Sequence, residues 1–236
     1  MSWFFYVNFL EIINIKLNIL FMTRSRYDSI ASQIVKKTIQ HWKVDFNKKL
    51  EYSHYSTNIN TPFIKFDLDA RLVFTDEVGL EVLDSTGADG RVFDDEDCFQ
   101  TPFIDIDIAI NPEWLPEYWS RLYMLLCDIV RHEIEHITQE GAEIGNYKHG
   151  KPIEDDSIER GLVNVGLLST QMYLMLPKEV DANLQGLRFE AKKRKEPIIN
   201  TIYRYLGTQS IDADEKDSVL TLWRNRAKKI GGIPNF

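Results

Sequence analysis

The chain has 236 residues, of which 44% are hydrophobic and 27% charged, and it carries a net charge of −8. This is a globular composition with ample material for a core, and the negative balance argues against a nucleic-acid partner gripped through its phosphates. Two cysteines, Cys98 and Cys127, are too few for a disulfide framework and lack C-x-x-C spacing, which points to a reducing compartment such as a cytoplasm.

Residues 1–22 are apolar but interrupted by Glu11 and Lys16. No basic residue precedes Lys16 and no A-x-A step follows, so the segment makes a poor signal peptide. A membrane span would need about 20 apolar residues without interior charges, so no firm membrane association is expected. The segment is read as an extension ahead of a single domain over 23–236. Either it precedes a natural start at Met22 or it lies as a peripheral helix.

From Ser29 the pattern turns helical. Ile30, Ile34, Ile39 and Trp42 recur near a 3.6-residue period, with Lys36, Lys37 and Lys43 off that stripe and solvated. His41 and His54 have no partners at ligand spacing and are read as ordinary surface or core residues. Two strand-like runs then echo each other, Thr61–Leu68 and Thr101–Ile108. In the second, Ile104, Ile106, Ile108 and Ile110 face one way and Asp105, Asp107 and Ala109 the other. Leu72–Phe74 and Val78–Leu83 are further strand candidates, and Gly87–Gly90 marks a turn. The acidic run Asp94–Asp97 lacks the spacing and glycine of a calcium loop, so it is read as solvated.

A long helix is expected from Pro116 and Glu117 to about Gln139. Leu122, Leu125, Leu126, Ile129, His132, Glu133 and His136 follow one another on its buried side. Cys127 falls in the same apolar stretch as a core residue. The segment His132-Glu133-Ile134-Glu135-His136 reads H-E-x-x-H. On a helix the two histidines lie one turn apart on one face, where two imidazoles can grip one metal ion, and Glu133 projects beside them as a proton acceptor. Polar groups on a buried stripe need a polar reason to be there. Glu135 falls off that face.

A catalytic zinc keeps three protein ligands and one open position. The longer H-x-x-G-x-x-H extension is absent, since Gln139 and Ala142 stand where Gly and His would be needed. Glu140 and Glu143 follow too closely to swing back. Glu179 is the best third ligand: Pro177 opens a helix, Glu179 lies in its first turn, and Ala182 offers a small side chain one turn on. His149 is next in line. The basic run Lys192–Lys195 is a solvated helix end, and further helices are expected over 197–230.

The combination H-E-I-E-H, then L-P-K-E-V-D-A, then Ala191-Lys192-Lys193 resembles the glutamate-ligand zincins, or gluzincins, and is similar to metallopeptidases encoded by tailed bacteriophages. The resemblance covers roughly residues 100–206. It departs from the gluzincin pattern at Asn183, where an aspartate often orients a ligand histidine. It implies an α+β fold: an N-terminal helix, a small, mostly antiparallel sheet, then a helical half with the metal between two helices. It also implies that Ile104–Ile110 is an edge strand lending its backbone to an extended substrate. The implied function is zinc-dependent peptide-bond hydrolysis. One Zn²⁺ would be held by His132, His136 and Glu179, with Glu133 as general base and a peptide or protein as substrate. Tyr147, His149 and Tyr173 are the candidates for stabilising the transition state. A phage-encoded chain would act in the host cytoplasm or travel with the virion. The alternative is a non-catalytic phage structural or host-interaction protein that keeps a zinc-binding or vestigial site.

Overall fold

The computed structural model describes residues 3–88, 102–115, 117–139, 161–163, 165–230, 233–234 and 236, with side chains described from 25 onward in the first helix and up to 83 in the third strand. The chain opens with one unbroken helix, α1 (Trp3–Asn47), which contains no proline or glycine to interrupt it. Helix therefore extends well ahead of Ser29. Tyr27, Ala31, Ile34, Val35, Thr38 and Trp42 form its buried stripe at steps of three and four. Lys49, in the left-handed region at φ 58°, turns the chain out of the helix and toward the sheet.

The sheet contains β1 (Tyr52–Asn60), β2 (Lys65–Phe74), β3 (Leu80–Ala88) and β4 (Phe103–Ile110), in the order β1-β2-β4-β3. β1–β2 and β3–β4 are antiparallel, and β2–β4 is parallel. The two echoing runs are these two neighbouring parallel strands, with Leu68 opposite Ile104. Their shared alternation puts Phe66, Leu68, Ala70 and Leu72 on the core face together with Ile104, Ile106, Ile108 and Ile110. Each fully buried isoleucine or leucine there contributes about 1.5–3 kcal/mol. On the outer face, cross-strand neighbours Arg71 and Asp107 form a two-point ion pair.

One strand is new and two expectations change. β1 carries Ser, His, Thr and Asn through most of its length and buries fully only Ser53, so its composition hides it as a strand. Leu72–Phe74 is the end of β2, and β3 takes in Gly87 and Ala88, the first half of the expected turn, whose Asp89 and Gly90 lie outside the described residues. β4 is not an edge strand: β2 and β3 flank it on both sides, so its backbone groups are taken up by the ladder. The edges are β1 and β3. The acidic run 94–97, Cys98 and Gly141 lie outside the described residues.

Helix α2 (Trp119–Gln139) packs on α1 and covers the sheet with Leu122, Leu126, Cys127, Val130, Ile134 and Ile137. Cys127 is a free thiol in that core, and burial pushes it up to about 12. After it come α3 (Thr170–Met175), α4 (Pro177–Arg194), α5 (Ile198–Thr208) and α6 (Ala213–Ile230). They gather a second core around Leu184, Leu187, Ile202, Leu206, Val219 and Trp223. The Trp223 indole N–H donates to the Leu174 carbonyl at 2.9 Å and locks α6 to α3. Helix α4 is the seam. Leu184 and Leu187 face the second core while Phe189 reaches into the first, which is why it is buried nearly all round. Among the described residues no helix is long and apolar enough to cross a membrane.

Candidate metal centre

His132 and His136 leave the same face of α2 and point at the start of α4. Their rings meet edge to face at 4.6 Å, and their Nε2 atoms are 2.9 Å apart. Pro177 sits at the first position of α4 after an extended Leu176, which fixes where the helix begins and sets Glu179 in its first turn. The Glu179 side chain is fully buried, with Oε2 3.5 Å from His132 Nε2 and Oε1 3.4 Å from His136 Nε2. One ligand atom from each of the three side chains lies within 4.8 Å of the others. Burial alone would push the Glu179 carboxyl up, but the two imidazoles outweigh it and hold it below the usual carboxylate range. The helix start adds to this, since a carboxylate is favoured in the first turn of α4.

The two helices meet at Gly186. A Cβ added there would come within 2.8 Å of the Asp128 carbonyl oxygen, 2.3 Å of Asp128 Oδ1 and 3.2 Å of the His132 Cβ. Ala182 is fully buried, and Gly186 one turn on takes the closest approach. Gly186→Ala should therefore destabilise the fold. Pressing a methyl against backbone costs about 1–3 kcal/mol, against a gain of roughly 0.8–1 kcal/mol in helix propensity. Denaturant unfolding should register a net loss, and an alanine variant as stable as the parent would show that α2 and α4 do not touch here.

The site includes groups that local patterning does not announce. Gln139, at the end of α2, has its carbonyl oxygen 3.0 Å from His136 Nδ1 and donates from Nε2 to the Lys178 carbonyl at 3.0 Å. Asp128, one turn before His132, is held well above the ordinary carboxylate range by burial, then by Glu190 and Glu133. The Tyr205 phenol of α5 is likewise pushed up by burial, then by the charges of Asp128 and Glu179. Its only sequence signal is its place on the stripe of Ile198 and Ile202.

The remaining expected residues are distributed as follows. Glu133 is buried on α2 next to His132. Tyr173 packs its ring against the C-terminal core. Tyr147 and His149 lie outside the described residues. Asp181 points away, in a two-point pair with Arg226 at 2.6 and 2.5 Å, and Asn183 is buried. Glu135 pairs with Arg131 at 2.8 Å, His41 with Asp45 at 3.2 Å, and His54 faces Asp69 at 3.5 Å.

Two imidazole nitrogens and a carboxylate from two rigid helices form a buried group that could hold a metal ion. No family model, no curated protein and no solved structure matches the chain.

Proposed function

We propose that the chain is a zinc-dependent peptidase. The observation that carries this reading is the convergence of His132 and His136 from α2 with Glu179 from α4, three ligand atoms within 4.8 Å. A nitrogen, nitrogen, oxygen set of this kind suits zinc and leaves a position open for chemistry. When bound, zinc supplies Lewis acidity toward a water and a peptide carbonyl. The protein's own contribution is then positional and acid–base. His132, His136 and Glu179 form the cradle. Glu133 takes the proton of the attacking water and passes it to the departing amine. The free, buried Cys127 accords with work in a reducing, cytoplasmic compartment.

The test is zinc per chain in the purified protein beside Glu179→Ala, together with hydrolysis of a mixed quenched-peptide library. About one zinc per parent chain, clearly less in the variant, and hydrolysis lost on chelation are expected. Full zinc in both proteins would remove Glu179 from the ligand set. No zinc in either, even after it is added back, would overturn the reading. Zinc without hydrolysis would leave a non-catalytic binding protein.

A further inference from the structure

We infer that Gln139 is a positioning residue. It selects the tautomer of His136 that leaves Nε2 bare toward the centre, and it ties that histidine to the helix carrying Glu179. The purpose of the device rests on the metal reading above; its geometry does not.

Gln139 is the last residue of α2 and is only 8% exposed. A side-chain amide has one donating end and one accepting end. Here Nε2 faces the Lys178 carbonyl oxygen at 3.0 Å and Oε1 faces His136 Nδ1 at 3.0 Å. Turning the amide over would set two oxygens, Gln139 Oε1 and Lys178 O, at that separation with no proton between them. The backbone carbonyl therefore decides which end meets the histidine. Nδ1 must then carry the proton and donate it to Oε1. The hydrogen bond at one ring nitrogen sets the state of the other, so in the neutral ring Nε2 is left as a lone pair. That nitrogen is the one aimed at His132 and Glu179.

The same side chain acts at a second point. Lys178 directly precedes Glu179, so the amide that orients one ligand also pins the first turn holding another. Asn183, where the gluzincin pattern often places a carboxylate, makes no such bond; its Nδ2 has no hydrogen-bond partner among the described residues. Orientation of a ligand histidine has moved to Gln139, three residues beyond His136 and on the same face of α2.

The experiment uses the full chain, free of metal and labelled with ¹⁵N-histidine, at about pH 8, above the histidine range. Long-range proton–nitrogen correlation spectra, with His136 assigned by comparison with His136→Gln, read the tautomer. Competition against a chromophoric chelator reads zinc affinity. The parent should show His136 protonated at Nδ1. Gln139→Leu should shift it toward the Nε2-protonated form and weaken zinc by about 10- to 100-fold. Gln139→Glu still accepts from Nδ1–H but loses the donor to the Lys178 carbonyl, so it should restore the tautomer and only part of the affinity. A merely structural glutamine would not give that rescue. An Nε2-protonated His136 in the parent would overturn the inference, as would a leucine variant within about twofold of parental affinity. If Gln139→Leu does not fold, the parent spectrum and Gln139→Glu still decide. A parent that took no zinc yet showed the Nδ1-protonated ring would defeat the metal reading and leave this one standing.

Discussion

Glu133→Gln is expected to leave zinc content at the parental level and to lower peptide hydrolysis by roughly 100- to 10,000-fold, the range of a lost general acid–base group. The two effects separate because Glu133 is not one of the three side chains whose ligand atoms converge. Glutamine keeps the shape and buried volume of glutamate, so α2 and its two histidines should hold their places. What is lost is the capacity to accept a proton. KM should move little beside kcat, because the group acts on the water rather than on the peptide. Parallel zinc assays and steady-state kinetics on one peptide would check this. Activity retained within a few-fold would remove Glu133 from the mechanism.

Asp28→Asn should cost about 3–5 kcal/mol of stability, the largest structural effect expected from a single side chain here. Asp28 is buried on α1 and gathers three cations: Arg188 at 2.5 and 3.2 Å, Lys192 at 3.3 Å and Arg131 at 3.4 Å. The Arg131 side chain is fully buried, and without Asp28 the ion pair left to it among the described residues is the one with Glu135. A buried guanidinium that loses one of its carboxylate partners is far more costly than a broken surface pair. The half-exposed Arg71 with Asp107 on the outer sheet face, by contrast, belongs to the class worth about 0–1 kcal/mol. Burial raises the Asp28 carboxyl, but Arg188, Arg131 and Lys192 outweigh it and hold it below the usual range. Its contribution is therefore fully present above the unfolded carboxylate value, about 3.9, and is lost as pH falls through the lower folded one. Chemical unfolding of the parent and Asp28→Asn should show a stability gap that is wide at neutral pH and closes in acid below about pH 4. A gap that stayed constant through and below that acidity would mean that folding does not shift the Asp28 carboxyl, and a gap that widened in acid would mean that it is held neutral in the fold.

Asp28, Arg188 and Lys192 also show why the basic run at the end of α4 is more than a solvated terminus. Lys192 reaches Asp28, and Lys193 donates to Ser32 at 2.6 Å. The first helix is thereby fastened to the helix that presents Glu179, and disturbing α1 should be felt at the centre.

The sequence by itself determined whatever depends on local period and local chemistry. His132 and His136 share a face because residues four apart on an α-helix always do. Glu179 lies in a first turn because Pro177 sets the helix start two residues earlier. The isoleucines of β4 alternate because a strand alternates. The tertiary structure decided which distant pieces meet. It placed β4 inside the sheet, although its alternation would read the same at an edge. It formed β1 from polar residues whose partners lie on another strand. It put Gly186 against Asp128, and it set Gln139 between His136 and the Lys178 carbonyl. None of these pairings has a periodic signature, because each joins groups that become neighbours only once the two cores close on either side of α4.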